Sequence, residues 1–472
     1  MPLAATRDTL QASEVGSPVR PSLSASRGRV WAALGLFALL LRLVCFTGLA
    51  GSDDLGYSKY ARAMATGTFN ATLDADPRPL HGLRYSVIAP VAAIYKVFGV
   101  SEWSTVLFPL LASTLSVIVL AEIGRLMFGM RVGIIAGLLY ATFPLQLIIG
   151  STLLPEPIAG LYALLAVLCY LHARRRGGAM WVAAGLLIGI AYLAKESALF
   201  IGGAFLLHAI WERQWRAALL FALGVAAVGV AEHAYYLMWK GDFFFRSNST
   251  RLYKVRDVEG FFTLEHRDLA HRLLRKYPEM MLVPHLKFGL HSLFCVVGAA
   301  WALRLRPRKG YVLLLLWAVI PWLYLNFGTW SLHTYAPLPA DERYIECTYP
   351  PLILLTGVAI SRALWASPMV ASSAAAVFGL VMAVGLGAGF MSRGTIGKAA
   401  EMTVLREIVS ATRNVPGHAI YTDEPRWLRA LEVFDASLVS PTKEGATFIL
   451  TTDSLGFPAV QPTRPIPGPE DR

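Results

Sequence analysis

Apolar residues along this chain come in blocks of about 20, the length a helix needs to cross roughly 30 Å of hydrocarbon. Such blocks lie near 30–50, 104–123, 132–150, 156–173, 180–194, 198–211, 217–239, 281–303, 311–327, 344–364 and 368–391. The pattern predicts about eleven transmembrane helices joined mostly by short polar segments. Every second joint is short and basic: Arg27 and Arg29, Arg125 and Arg131, Arg174-Arg175-Arg176, Arg213 and Arg216, and Arg304 to Lys309. Lys and Arg concentrate in cytoplasmic loops. Residues 51–103, 240–280, 328–343 and everything after 392 are therefore expected outside. The first outer loop has helical spacing at 54–66 and 85–98 but is too polar there to span, which predicts helices lying at the interface. Residues 398–453 alternate helix-like runs (TVLREIVSATR, PRWLRALEVF) with strand-like ones (HAIYTD, TFILTTD), the pattern of a small α/β unit.

The fold class expected is an all-α polytopic membrane protein with a small α/β extracytoplasmic C-terminal domain. Residues 1–29 are read as a disordered cytoplasmic segment and 30–392 as the membrane domain, with outer loop 51–103 carrying the chemistry. Residues 393–457 form the soluble domain and 458–472 a Pro-rich disordered tail.

Composition agrees with this organisation. Hydrophobic residues make up 55% of the 472 and charged ones only 16%, with a mean hydropathy of +0.51. A soluble domain is nearer a quarter charged. The net charge of +12 sits mostly in the joints, so topology accounts for it and nucleic acid is not expected as a partner; the lipid bilayer is. Four scattered cysteines without a CxxC or Cys/His spacing predict neither a disulfide framework nor a zinc site.

The sharpest chemical feature is Asp53-Asp54, in GLAGSDDLGYSKYARAMATG, just past the first apolar block. Adjacent carboxylates repel, and at a membrane boundary one of them gains a raised pKa. One member suits a general base toward an acceptor hydroxyl; Asp ahead of a helical pattern equally suits an N-cap. The two roles are compatible, with Asp54 capping and Asp53 facing a cleft. The same loop supplies Lys59, Arg62, Arg78, Arg84 and Lys96. Arginine's planar fork matches phosphate oxygens, while part of such a set ordinarily serves lipid headgroups. Glu156 opens one block between two prolines, Lys195-Glu196 falls between the blocks 180–194 and 198–211, and Arg343-Tyr344 follows Asp341-Glu342. Ionisable residues at such positions need partners or a watery cavity, and so does Arg42 inside the first block. The outer loop 240–280 is strongly basic and carries Phe243-Phe244-Phe245, which reads as a headgroup-facing surface.

The acidic pair, Tyr57 and Ala61 after it, and the closing run of Arg84, Tyr85, Ala89, Pro90, Phe98, Gly99, Val100, Ser101 and Glu102 resemble the first outer loop of the C-type glycosyltransferase superfamily. The likeness is nearest to bacterial relatives of protein O-mannosyltransferases and of lipid A aminoarabinose transferase. It extends over roughly the first ten blocks, with its specific part in this loop. It implies inverting transfer of a sugar from a polyprenyl-phosphate donor to a protein, lipid or polysaccharide acceptor on the outer face of a membrane, by default a bacterial inner membrane. Carried over by position, Asp53 and Asp54 are the catalytic pair. Arg84, Lys195 and Arg343 bind the donor phosphate, and Tyr57, His81, Glu156 and Glu196 contact substrate. Many relatives carry Lys-Pro-Pro where this chain has Leu83-Arg84-Tyr85. No cofactor is implied beyond the lipid-linked donor, and no metal ligand is assigned, although the adjacent carboxylates leave room for a divalent ion. A transporter or flippase for a lipid-linked glycan is the rival reading. The absence of an internal repeat and the gathering of charge at the outer rim weigh against it.

Overall fold

The computed structural model of the protein describes residues 22–77, 79–250, 269–283, 287–305, 310–329, 338, 341–395, 397–413 and 417–463. Among the described residues every apolar block becomes a helix or a pair of helices. The first is α1 (Ser22–Val44), so the helix starts inside the segment read as disordered up to residue 29; residues 1–21 lie outside the described ones. The outer loop folds into α2 (Asp53–Thr66), α3 (Phe69–Ala75) and α4 (Tyr85–Phe98). Next come α5 (Glu102–Phe128), α6 (Met130–Ala141), α7 (Pro144–Ile149), α8 (Pro155–Arg176), α9 (Ala179–Ala194), α10 (Ala198–Trp211) and α11 (Trp215–Lys240). The later helices are α12 (His291–Arg304), α13 (Tyr311–Phe327), α14 (Glu342–Ile345), α15 (Tyr349–Ala363) and α16 (Pro368–Ser392). Among the described residues four helices, α5, α8, α11 and α16, are long and apolar enough to cross a membrane by length and composition. Six shorter apolar helices accompany them.

Three blocks break where the chain cannot continue a helix. The first ends at Val44 rather than at residue 50, because the backbone turns through Gly48 (φ +72°) and Gly51 (φ +67°). That left-handed region is one in which a side chain is strained. The block 132–150 splits at Thr142-Phe143, since Pro144 has no N–H to extend α6 and instead opens α7. Block 344–364 begins as a short turn before Pro350 and Pro351 start α15.

The bundle packs α5 on α6 and α8, α8 on α9 and α9 on α11, around one continuous apolar core. Its ends are chemically different. At one end Arg174 pairs with Glu212 at 2.6 Å, Arg175 donates to the Leu126 carbonyl, and Arg131 stacks on Trp365. Arg362 reaches the Leu305 carbonyl at this same end. Among the described residues these basic joints gather on one side, as alternating loop charge requires. The opposite end carries α2–α4, the turn at 195–197, residues 341–346 and the C-terminal unit.

That unit comprises α17 (Ala399–Arg413), β1 (Ile420–Tyr421), α18 (Pro425–Asp435), β2 (Phe448–Thr452) and β3 (Pro458–Pro462). Its three-stranded sheet has the order β1-β2-β3, with β1 parallel to β2 (Ile420 opposite Phe448). β3 runs antiparallel to β2 (Leu450 opposite Val460). The reading of 458–472 as disordered therefore fails at its start. Asp453 accepts from the amides of Leu455 and Phe457 and turns the chain back into β3. Residues 464–472 lie outside the described ones.

Candidate functional site

The two neighbouring aspartates have different surroundings. Asp54 is fully buried. One carboxylate oxygen accepts from the amides of Ala50 (2.7 Å) and Gly51 (3.2 Å), and the other from the Ser52 amide (2.6 Å). Both oxygens are thus spent on the backbone that enters α2, and the expectation that Asp54 shares the chemistry gives way to a structural role. Burial, with the Asp53 charge alongside, raises its pKa despite the three amide bonds. Asp54→Ala strands three backbone donors in a buried loop. The expected loss is about 1–3 kcal/mol of stability, read as a lower thermal-unfolding midpoint in lipid nanodiscs.

Asp53 opens α2 with a side chain 44% exposed, facing outward. It meets His81 Nε2 at 3.4 Å on one side and Arg343 Nη1 at 3.4 Å on the other. Burial alone would raise its pKa; the His81 hydrogen bond and the charges of His81, Arg343 and Arg84 override it and hold the carboxyl well below the usual range. The pair thus splits as its repulsion predicts, with Asp53 the ionised and accessible member.

Each of the predicted phosphate-binding cations is held by an acid, and of the three Arg343 is the one in contact with Asp53. Arg343 pairs with Asp341 at 3.0 Å. Arg84 donates to Tyr57 Oη at 2.8 Å and lies 3.7 Å from Glu196, while its Nε has no partner among the described residues. Burial would lower the pKa of both arginines, but the facing acids raise it, so both stay charged. Lys195 Nζ bonds Glu156 at 2.7 Å and sits 4.0 Å above the Tyr344 ring. Tyr57 packs edge-on against the His81 ring. Glu156, Lys195, Arg343, Tyr344 and Glu346 line one cleft running inward between α8, α10 and α15. Glu156 Oε2 is buried and without a partner among the described residues.

Sequence reasoning missed three contributors. Arg246 is 3% exposed and bridges Glu196 (2.9 Å), Glu232 (2.6 Å) and the Leu83 carbonyl (2.9 Å). The basic outer loop is therefore not wholly headgroup-facing: this arginine dives into the bundle and Lys240 pairs with Asp74. Through Glu196 it braces Arg84. The signals were Glu232 and Glu346, acids inside apolar blocks, which ask for partners. Glu346 has Tyr140 and Gln146 as hydrogen-bond donors.

Other expected cations stand apart. Lys59 pairs with Asp76 and Arg62 with Glu432, while Lys96 is exposed. Arg78, Arg251, Lys254, Arg256 and Arg267 lie outside the described residues. Arg42, as its position in α1 requires, is buried against Ser113 Oγ and the carbonyls of Ala38 and Ser113. An apolar groove opens sideways between α4, α9 and α11, lined by Met64, Phe69, Tyr85, Leu186, Leu193 and Tyr235.

Residues 88–239 match the family described as dolichyl-phosphate-mannose-protein mannosyltransferase. No curated protein sequence matches the chain. Among solved structures it is similar to ArnT from Cupriavidus metallidurans in the apo state, with TM-score 0.55 at 17% identity over 92% of this chain and 94% of that one. ArnT bound to undecaprenyl phosphate gives TM-score 0.53 at 17% identity, over 88% and 86%. The oligosaccharyltransferase AglB from Archaeoglobus fulgidus, in complex with an inhibitory peptide and a dolichol-phosphate, gives TM-score 0.52 at 13% identity, over 89% and 65%. This chain thus spans about two thirds of that relative's length. The fold is that of these solved structures, and the mannosyltransferase family match covers residues 88–239 within it, from α4 to α11.

Proposed function

We propose that this protein transfers a sugar from a polyprenyl-phosphate donor to an acceptor hydroxyl, with inversion at the anomeric carbon, on the outer face of a bacterial inner membrane. The observation that carries the reading is a half-exposed carboxylate, Asp53, bracketed by His81 and by Arg343, which with Lys195 also lines the adjoining cleft. The apolar groove beside Tyr85 suits the prenyl tail, and Arg84, one residue before it, would meet the phosphate where groove and cleft approach.

The acceptor oxygen attacks C1 from the face opposite the phosphate. The C1–O bond breaks and its electron pair stays on the phosphate oxygen. The acceptor proton passes to Asp53, which then returns it to solvent. As the leaving phosphate becomes a monoester dianion, Arg84, Arg343 and Lys195 balance its charge; preorganised charge of this kind is worth about 3–4 kcal/mol per group in the transition state. In the resting site those cations are neutralised by Glu196, Asp341 and Glu156. Phosphate binding draws Arg343 away from Asp53, and the released carboxylate becomes a stronger base.

A divalent ion fits this site poorly. Asp54 has both oxygens engaged by amides, so the Asp53-Asp54 pair offers one carboxylate and not two. The Archaeoglobus fulgidus oligosaccharyltransferase, similar in fold, has been solved in complex with zinc and sulfate. Turnover by this chain is expected to survive dialysis against EDTA unchanged; a loss restored by Mg²⁺, Mn²⁺ or Zn²⁺ would overturn that expectation.

The test of the function is release of free polyprenyl phosphate from a panel of polyprenyl-phosphate sugars by the full chain in nanodiscs, with cell lysate as acceptor source. Consumption of one donor names the substrate. If no donor is consumed although one binds, the proposal fails.

A further inference from the structure

Residues 45–52 lead from α1 to Asp53 without helix or strand of their own, so other parts of the protein must fix their path. From inside, Ser151 accepts from the Thr47 amide and its carbonyl from the Gly48 amide, while Asp54 gathers the next amides. From outside, the C-terminal unit takes nearly everything left. Arg406 donates to the Thr47 carbonyl at 3.0 Å and grips Glu102 with two nitrogens, the shortest contact being 2.6 Å. Glu102 in turn accepts from the Leu49 amide at 2.8 Å, and the Lys398 amide donates to the Ala50 carbonyl at 2.6 Å. Leu49 and Leu55, on either side of Asp53, are buried with Met402, Leu405, Val409 and Trp427 in one apolar cluster. Any side chain at Gly48 would collide with Glu102 and Arg406. Arg62, on α2, pairs with Glu432 of α18 at 2.7 Å.

We propose that the C-terminal unit is a clamp on the catalytic loop, with Arg406 and Glu102 positioning residues that set where Asp53 points. The inference rests on the function proposed above and gives this unit a task in holding the loop that carries Asp53. Arg84 and Lys195 lie on segments that Arg406 does not touch, so the donor phosphate keeps those contacts when the clamp is loosened. Asp53, by contrast, loses its fixed approach, and a displacement of about 1 Å in a reacting group costs about 100-fold in rate.

The experiment compares wild type, Arg406→Ala and Arg406→Lys as full chains in nanodiscs, by donor turnover and by amide hydrogen exchange. Arg406→Ala is expected to lower kcat by about 100-fold with donor KM within about twofold of wild type. Peptides spanning 45–55 should exchange about tenfold faster while those from α5 do not change. Arg406→Lys keeps the charge but not the fork and should recover part of kcat, and it supplies the readout if the alanine variant does not fold. A raised KM at unchanged kcat would overturn the clamp in favour of substrate binding by the unit. Unaltered exchange at 45–55 would overturn it whatever the activity. If wild type consumes no donor, the exchange result still decides the clamp, and only the function proposal falls.

Discussion

Replacing Asp53 by asparagine is expected to lower turnover by about 10²–10⁴-fold while leaving donor binding intact. The substitution preserves shape and removes only the charge and the proton-accepting oxygen. His81 and Arg343 approach Asp53 at 3.4 Å each, and its side chain is 44% exposed, so solvent screening keeps the share of stability that rests on them small. Asp54, which does hold the loop, is untouched. Binding of radiolabelled donor should match wild type and the thermal midpoint should shift little. Consumption at an equal rate by both proteins would leave the enzyme class standing and remove Asp53 from its role. A large fall in donor affinity would instead assign Asp53 to binding. His81→Gln serves as the control for orientation. It removes one of the two partners and should cost far less than the loss of the carboxylate.

The bundle was legible because lipid leaves a chain few choices. Backbone polar groups without water must be satisfied within a segment, so each apolar block had to become helical, and basic joints had to fall on one side. Boundaries were less legible, since they depend on single residues acting locally. Pro144 cut one block, and Gly48 with Gly51 ended the first at Val44, leaving Cys45–Ala50 apolar but not helical. The acidic pair stood out in the sequence, and so did the option that Asp54 caps while Asp53 faces a cleft; what decides between that and a shared role did not. Three amide contacts decide that Asp54 is internal, and these exist only once the chain turns through 48–52. Arg246 reads in sequence as one cation among many in a basic loop; only Glu232, fourteen residues earlier inside an apolar block, marked where it would go. Glu102 read as the end of a family pattern and an acid at the start of α5. Its bond to Arg406 joins residues 304 positions apart, a distance across which periodicity and spacing carry no information.

Arg343→Gln is the second large effect, because on the proposed mechanism Arg343 serves both halves of the reaction. It faces the cleft lined by Glu156 and Lys195, and it also touches Asp53. As a charge on the departing phosphate, its loss should cost about 10²–10³-fold in kcat. Its effect on pH dependence separates the two duties. In the free protein Asp53 is held below the usual carboxylate value of about 3.9, so kcat/KM has no acid limb from this group above about pH 4. On the proposed mechanism Arg343 turns to the phosphate in the donor complex and that anion lies close by. Both changes favour the protonated carboxyl, so the acid limb of kcat should sit at higher pH than that of kcat/KM. In Arg343→Gln the free carboxylate has lost one of its stabilising charges, so the limb of kcat/KM moves up. The complex has no cation to redirect, so the limb of kcat moves less. The gap between the two limbs should therefore narrow as the rate falls. A uniform drop in rate with both limbs unmoved would mean that Arg343 acts on the phosphate alone and that Asp53 owes its low pKa to His81 and Arg84.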